Sequence, residues 1–384
     1  MLLQAPLFFS AIATALLVPE PTGPFSVAMR VQALTDTSRH DSLDPTGKAQ
    51  TRRVLISMFL PIERQGDACP IKTVQYMTPS VAAAYGKEAV LAGLPSDFFR
   101  SFELQICDLA RNPGYGRQQN EGRAYPLVLY TPGLGHSRLI YGAMARSLAS
   151  QGYVVVTVDH PYDANLVEFP DGRVVLGANI SDDDPIAVGK VVQIRNDDLS
   201  FVLDQLHDKS VLDNLVANFP GTIDLGKIVV FGHSLGGAAA AALTRSDHRV
   251  LGGVDLDGML VDPIKSLGLR KPFLLAGRVN HSTTDHTWNE FWPHLDGRRM
   301  ELAIKGTAHG SFSDRPILLS TLKLPEKARQ EVEKELGTIN AKRLDEVLNG
   351  VLTSFFDLAL YREKNRLGTI NRTFPEVFIQ RSHL

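Results

Sequence analysis

The stretch best equipped for chemistry is Gly232-His233-Ser234-Leu235-Gly236-Gly237. It follows the apolar run Lys227 to Phe231 and opens into the alanine-rich run Ala238 to Leu243. A β-branched run, Gly-x-Ser-x-Gly and a helix former, in that order, predict a tight strand-to-helix turn that pushes a serine Oγ out of a sheet. Such a serine sits in a strained backbone conformation, and its glycine neighbours are positions where Cβ bulk is not tolerated. Ser234 is therefore the candidate nucleophile.

A serine hydroxyl is a weak nucleophile at neutral pH. It needs a histidine to take its proton and a carboxylate to orient that imidazole. Where an elbow of this kind heads an α/β-hydrolase site, the chain order is serine, acid, histidine. Six histidines follow Ser234, at 248, 281, 286, 294, 309 and 383. His309 is the best placed, in the glycine-flanked segment Lys305 to Phe312 after a predicted strand Met300 to Ile304. That is the carboxyl end of a strand, where the ligands of open parallel sheets bind. His281 and His286 share a polar loop that lacks a metal-ligand motif. His233, inside the elbow, is expected to pack beside the nucleophile.

The acid has two contenders. Asp257 ends the predicted strand Val250 to Leu256, and Asp285 lies in the loop after the next, Pro272 to Ala276. Periodicity does not choose between them, and Asp255 could be a structural strand-end carboxylate. Acyl transfer also needs two backbone N–H groups aimed at the developing oxyanion. One is expected from Leu235, directly after the nucleophile. The other is expected from Leu134, in Thr131-Pro132-Gly133-Leu134-Gly135-His136 after the predicted strand Pro126 to Tyr130.

The elements that must position these residues are legible as short apolar runs bounded by Gly, Pro, Asp or Asn. They lie at Val54 to Pro61, Pro126 to Tyr130, Tyr153 to Val158, Ile228 to Phe231, Val250 to Leu256, Pro272 to Ala276 and Met300 to Ile304. Continuous apolar character marks strands buried on both faces. Helical stripes lie between or after them, at Leu139 to Gln151, Val192 to His207, Ala238 to Arg245 and Asn340 to Leu360. This alternation predicts an α/β fold: an α/β-hydrolase architecture with a mostly parallel central sheet and helices on both faces. A single domain over residues 19–384 is expected, with 69–120 as a peripheral insertion and Asn179 to Val188 as a solvated loop.

The 384 residues carry a net charge of −2 with 44% hydrophobic residues, enough for a large core and without the basic excess of a nucleic-acid binder. The same balance leaves at most peripheral contact with membranes. Residues 1–18 fit a secretory leader, because Ala5 to Val18 is mostly apolar with small-residue steps and too short to span a bilayer. The preceding Met1-Leu2-Leu3-Gln4 carries no Lys or Arg. Cys69 and Cys107, the 2 cysteines, fit no zinc, haem or C-x-x-C pattern. They form either two buried thiols or, in an exported chain, one disulfide.

Together these residues resemble the plasma-type platelet-activating factor acetylhydrolase family. The likeness runs through Pro21-Thr22-Gly23-Pro24, Gly133-Leu134-Gly135, the Gly-His-Ser-Leu-Gly-Gly elbow, Leu256-Asp257-Gly258-Met259 and Gly306-Thr307-Ala308-His309 with Ser313-Asp314. It covers about residues 21 to 360. The resemblance implies Asp257 as the acid, by its spacing from Ser234, and the Leu134 amide as an oxyanion donor. It further implies hydrolysis of short acyl esters of small molecules or lipids, with no metal or other cofactor. Other expectations on the same scaffold are a general carboxylesterase, a specialised-metabolite ester hydrolase or acyltransferase, or a hydrolase-like protein that binds without catalysis.

Overall fold

The structure, a computed structural model, describes residues 15–64, 69–111, 123–362 and 365–384. Fourteen strands are present among them: β1 Leu16–Leu17, β2 Phe25–His40, β3 Thr51–Glu63, β4 Ile71–Gln75, β5 Phe102–Cys107, β6 Ala124–Thr131, β7 Val154–Asp159, β8 Leu166–Glu168, β9 Val174–Leu176, β10 Thr222–His233, β11 Val250–Leu256, β12 Phe273–Arg278, β13 Arg299–Ile304 and β14 Val377–His383. Twelve form one sheet in the order β1-β5-β2-β3-β7-β6-β10-β11-β12-β13-β14, with β4 on β5, while β8 and β9 make a separate hairpin. From β7 through β13 every neighbour is parallel. β3 and β14 flank that block antiparallel.

The parallel strands are apolar throughout because both faces are covered. Along β6, Val128 and Tyr130 enter a core capped by helices Gly142–Ala149 and Ala341–Tyr361, while Leu127 and Leu129 enter the opposite core with Leu199, Val202, Leu203 and Leu206 of helix Pro185–His207. This is the period-2 division of a strand between two layers. The expected mostly parallel sheet with helices on both faces is what the structure shows.

Three boundaries differ from the sequence expectation. Pro61 does not close its strand: β3 runs on to Glu63, and Pro61 pairs with Val27 of β2 beyond the Leu55 to Phe59 stretch that meets β7. Beyond that stretch β3 no longer pairs with β7, so a residue without an N–H is tolerated there. Helix Pro185–His207 begins inside the expected solvated loop, with proline in its first turn and the Asp184 carboxylate accepting from Ile186 N at 2.9 Å and Ala187 N at 3.3 Å. The 69–120 stretch supplies β4, helix Pro79–Leu91 and β5, which extend the sheet beyond β2.

Cys69 and Cys107 come together as two free, buried thiols, so no disulfide joins them here. Their mutual hydrogen bond, and then burial, hold the Cys107 thiol above its ordinary range. The same hydrogen bond lowers the Cys69 thiol, and burial is what keeps both sulfurs from reagents in solution. Most of the stretch expected to be a leader, residues 1–14, lies outside the described residues. Leu16 and Leu17 pair with Phe102 and Glu103 as an edge strand.

Candidate active site

Five consecutive strands of the sheet, β6, β10, β11, β12 and β13, deliver their carboxyl ends to one place. Thr131 at the end of β6 leads into the Gly133-Leu134-Gly135 loop, and β10 ends at His233 directly before Ser234. Asp257 follows β11, Arg278 ends β12, and His309 stands in the loop after β13. Residues far apart in sequence thus converge at the edge where parallel sheets place their ligands.

Ser234 has φ 57° and ψ −128°, a conformation that costs a side-chain-bearing residue about 1–3 kcal/mol and persists only when its surroundings enforce it. Enforcement here is backbone contact. A Cβ on Gly232 would lie 2.2 Å from the Gly236 carbonyl carbon, and one on Gly236 would lie 2.1 Å from the Thr131 oxygen. The Ser234 amide donates to the Leu256 carbonyl at 2.9 Å, tying the elbow to the end of β11. Helix Leu235–Ser246 starts at once, so the Leu235 amide stands at its first position, where an N–H has no intrahelical carbonyl to reach.

Asp257, itself at φ 55°, turns its carboxylate inward. One oxygen, Oδ2, lies 2.7 Å from His309 Nδ1; the other accepts from His281 Nδ1 at 2.9 Å and from the Arg278 amide at 2.9 Å. The Arg278 guanidinium also donates to Oδ2. Burial works against the charge, but the hydrogen bonds from His281 and His309 outweigh it and hold the carboxyl well below its usual range. Asp255, two residues earlier, behaves oppositely. Burial pushes it up to about 8, against the pull of His281, the Gly258 N–H and Trp288.

The Asp285 carboxylate does not reach His309. Its Oδ2 lies 3.5 Å from His281 Nε2, and it accepts from the Thr287 amide at 2.8 Å. His281 is buried with its ring centroid 3.9 Å from that of Trp288. Against the cost of burial, its hydrogen bond to Asp257 and the nearby Asp285 carboxylate push it up to about 9.

His309 Nδ1 is committed to Asp257, which leaves Nε2 to handle a proton. Its loop is pinned from behind, because His233 Nε2 donates to the His309 carbonyl at 3.0 Å and the two rings lie 4.6 Å apart. A carbonyl only accepts, so His233 carries its proton on Nε2, and Nδ1 takes the Tyr141 hydroxyl proton at 2.9 Å. The Tyr141 oxygen then accepts from His136 Nδ1 at 2.7 Å and from the Gly133 amide at 3.3 Å. Burial, reinforced by His309 and His136, keeps His233 well below its ordinary value and therefore neutral. This chain links the histidine loop to the Gly133-Leu134-Gly135 loop.

Of the expected site residues, the structure brings Asp257 and His309 into contact and sets Ser234, Leu235 and Leu134 beside them. A Cβ on Gly133 would lie 3.4 Å from Ser234 Cβ. No hydrogen bond joins Ser234 Oγ to His309 among the described residues, a contact that in such sites often closes only with substrate bound. Sequence pattern gives no sign of the parts played by Tyr141 and His281. Neither sits in a motif, and Tyr141 lies 92 positions from the histidine it serves.

The chain belongs to the α/β hydrolase family, whose profile matches residues 128–337. Within that family its likeness is to the platelet-activating factor acetylhydrolases: the profile described as platelet-activating factor acetylhydrolase, isoform II, matches residues 12–167. A probable 1-alkyl-2-acetylglycerophosphocholine esterase of Arthroderma benhamiae is 28% identical over 96% of this chain and 95% of its own length. Platelet-activating factor acetylhydrolase of Cavia porcellus is 27% identical over 56% of this chain and 55% of its own. Among solved structures, the ferulic acid esterase from Streptomyces cinnamoneus superposes with a TM-score of 0.76 at 28% identity, covering 95% of this chain and 99% of its own. The class expected from the sequence, an ester hydrolase on the α/β-hydrolase fold, is borne out.

Proposed function

We propose that this chain hydrolyses short acyl esters, including the sn-2 acetyl ester of ether phospholipids, through a covalent acyl-enzyme on Ser234. His309 Nε2 takes the Ser234 proton as Oγ attacks the ester carbonyl. The Leu134 and Leu235 amides hold the oxyanion, and Asp257 keeps His309 in the tautomer that presents a bare Nε2. The same histidine protonates the departing alcohol. It then takes a proton from water, whose oxygen attacks the acyl-enzyme, and the acid leaves as Oγ recovers its hydrogen.

The observation that carries this reading is the 2.7 Å contact between His309 Nδ1 and a buried, ionised Asp257 beside the Ser234 elbow. The likeness to an esterase of 1-alkyl-2-acetylglycerophosphocholine along 96% of the chain supports the acetyl phospholipid as substrate. A second reading, an esterase for bulkier aromatic acids, is favoured by the likeness to the ferulic acid esterase over 95% of the chain. An exported enzyme is part of the proposal. β1 begins at Leu16, so a leader cleaved without loss of that strand ends before it, which N-terminal sequencing of secreted material tests.

The test is hydrolysis of p-nitrophenyl esters from acetate to palmitate, of an sn-2-acetyl phospholipid and of methyl ferulate, by wild type and Ser234→Ala. Serine-dependent activity that falls with acyl length and extends to the phospholipid supports the first reading. Preference for ferulate supports the second. Near-full activity of Ser234→Ala overturns both.

A further inference from the structure

The loop after β6 leaves one amide unspent. Pro132 has no N–H; Gly133 N–H goes to the Tyr141 hydroxyl at 3.3 Å, Gly135 N–H to Asp163 Oδ1 at 3.4 Å and His136 N–H to the Gly133 carbonyl at 3.1 Å. Leu134 N–H alone has no partner among the described residues. On the carbonyl side the loop is gripped by Arg195, from the middle of helix Pro185–His207. One terminal nitrogen of its guanidinium donates to the Pro132 carbonyl, and the other to the Gly133 carbonyl at 3.2 Å. Its Nε and that second nitrogen take the two oxygens of Asp163 at 2.6 Å each.

Both side chains of this pair are 1% exposed. A buried ion pair is a weak way to stabilise a fold, since desolvation cancels much of the Coulomb gain. What it supplies is geometry. A planar fork of five N–H groups can hold two carbonyls and a carboxylate at once, which a lysine ammonium does not reproduce.

We propose that Arg195, braced by Asp163, is a positioning residue for ester hydrolysis. It grips the two carbonyls that precede the Leu134 amide, those of Pro132 and Gly133, while Asp163 holds the Gly135 amide beyond it, so that the one unspent amide stays aimed at the oxyanion. This rests on the serine-hydrolase reading above. Loss of the grip lets the Leu134 amide wander without removing a group that touches substrate, so the penalty falls on the transition state.

The experiment compares wild type, Arg195→Lys, Asp163→Asn and Ser234→Ala on p-nitrophenyl acetate, with active sites counted by phosphonate titration and folding followed by thermal melts. A trifluoromethyl ketone, which forms an anionic hemiketal in the same oxyanion site, is the second probe. In Arg195→Lys, kcat per titrated site falls about 10- to 100-fold, short of the ~10²–10³-fold loss of an oxyanion donor itself, with KM within about twofold. Affinity for the ketone weakens by a similar factor, which loss of stability alone would not produce. Asp163→Asn shifts both in the same direction and carries the test if the arginine variant does not fold. A folded variant whose kcat per site and ketone affinity stay within about twofold of wild type overturns the proposal. Activity that survives Ser234→Ala overturns instead the hydrolase reading on which it rests.

Discussion

Asp255 and Asp257 stand two residues apart, yet their surroundings push their titrations in opposite directions. Asp257 is hydrogen-bonded by two imidazoles and a guanidinium and is held ionised against His309, whereas Asp255 has only the Gly258 amide and the Trp288 indole within hydrogen-bond reach. Asp257→Asn should therefore lower kcat on the order of 10⁴-fold, as in other triads where an amide imposes the wrong tautomer, whereas Asp285→Asn should change it little. Steady-state rates on p-nitrophenyl acetate decide this; the reverse ranking would make Asp285 the acid. His281 adds a stability signature. Its folded value, about 9, lies above the ordinary 6.5, so its contribution is full below pH 6.5 and is lost as pH rises through 9. Asp255, raised when folded, acts with the same sign. The melting temperature should accordingly decline from about pH 6.5 to 9 and decline less steeply in His281→Asn; an unchanged slope would show that His281 is not charged in the fold.

At the scale of elements, the elbow and the Leu134 loop are one steric unit. A methyl group on Gly236 meets the Thr131 and Pro132 carbonyls at 2.1 and 2.6 Å, which are backbone atoms unable to rotate away. Gly236→Ala should cost about 1–3 kcal/mol in stability by overpacking and should lower kcat beyond any loss of folded protein, because the loop that yields is the one bearing Leu134. A thermal melt with active-site titration separates the two effects. The elements around Ser234 and His309 were legible because each is a short apolar run ending in a glycine-bearing turn, a pattern set locally. The choice between Asp257 and Asp285 was not, since both follow such a strand and only the turn at Asp257, with φ 55°, brings a carboxylate to His309. Arg195 was equally silent, lying 62 positions from the Gly133 carbonyl on a helix whose sequence shows only its apolar stripe.

At the scale of the whole molecule, the parallel block of the sheet was readable, while of the antiparallel part only β3 was. β2 carries Gln32, Thr35, Asp36, Thr37, Ser38 and Arg39, so no continuous apolar run announces its 16 residues. Its place is fixed by pairing with β3 and β5, which sequence pattern does not reveal. Cys69 and Cys107 lie in this part, and their free thiols should be silent to a thiol reagent until the protein unfolds, then react as two. Immediate absence of both after denaturation without reductant would mean that the native protein carries a disulfide.

All of these features serve one claim, that Ser234 is an activated nucleophile. The most direct measurement is intact-mass and peptide-mapping analysis after treatment with a fluorophosphonate, alongside residual esterase activity. A single adduct on the peptide containing Ser234, rising in step with loss of activity and absent in Ser234→Ala, is the predicted result. An enzyme that stays active while Ser234 is fully labelled, or that is inactivated by an adduct elsewhere, would contradict it.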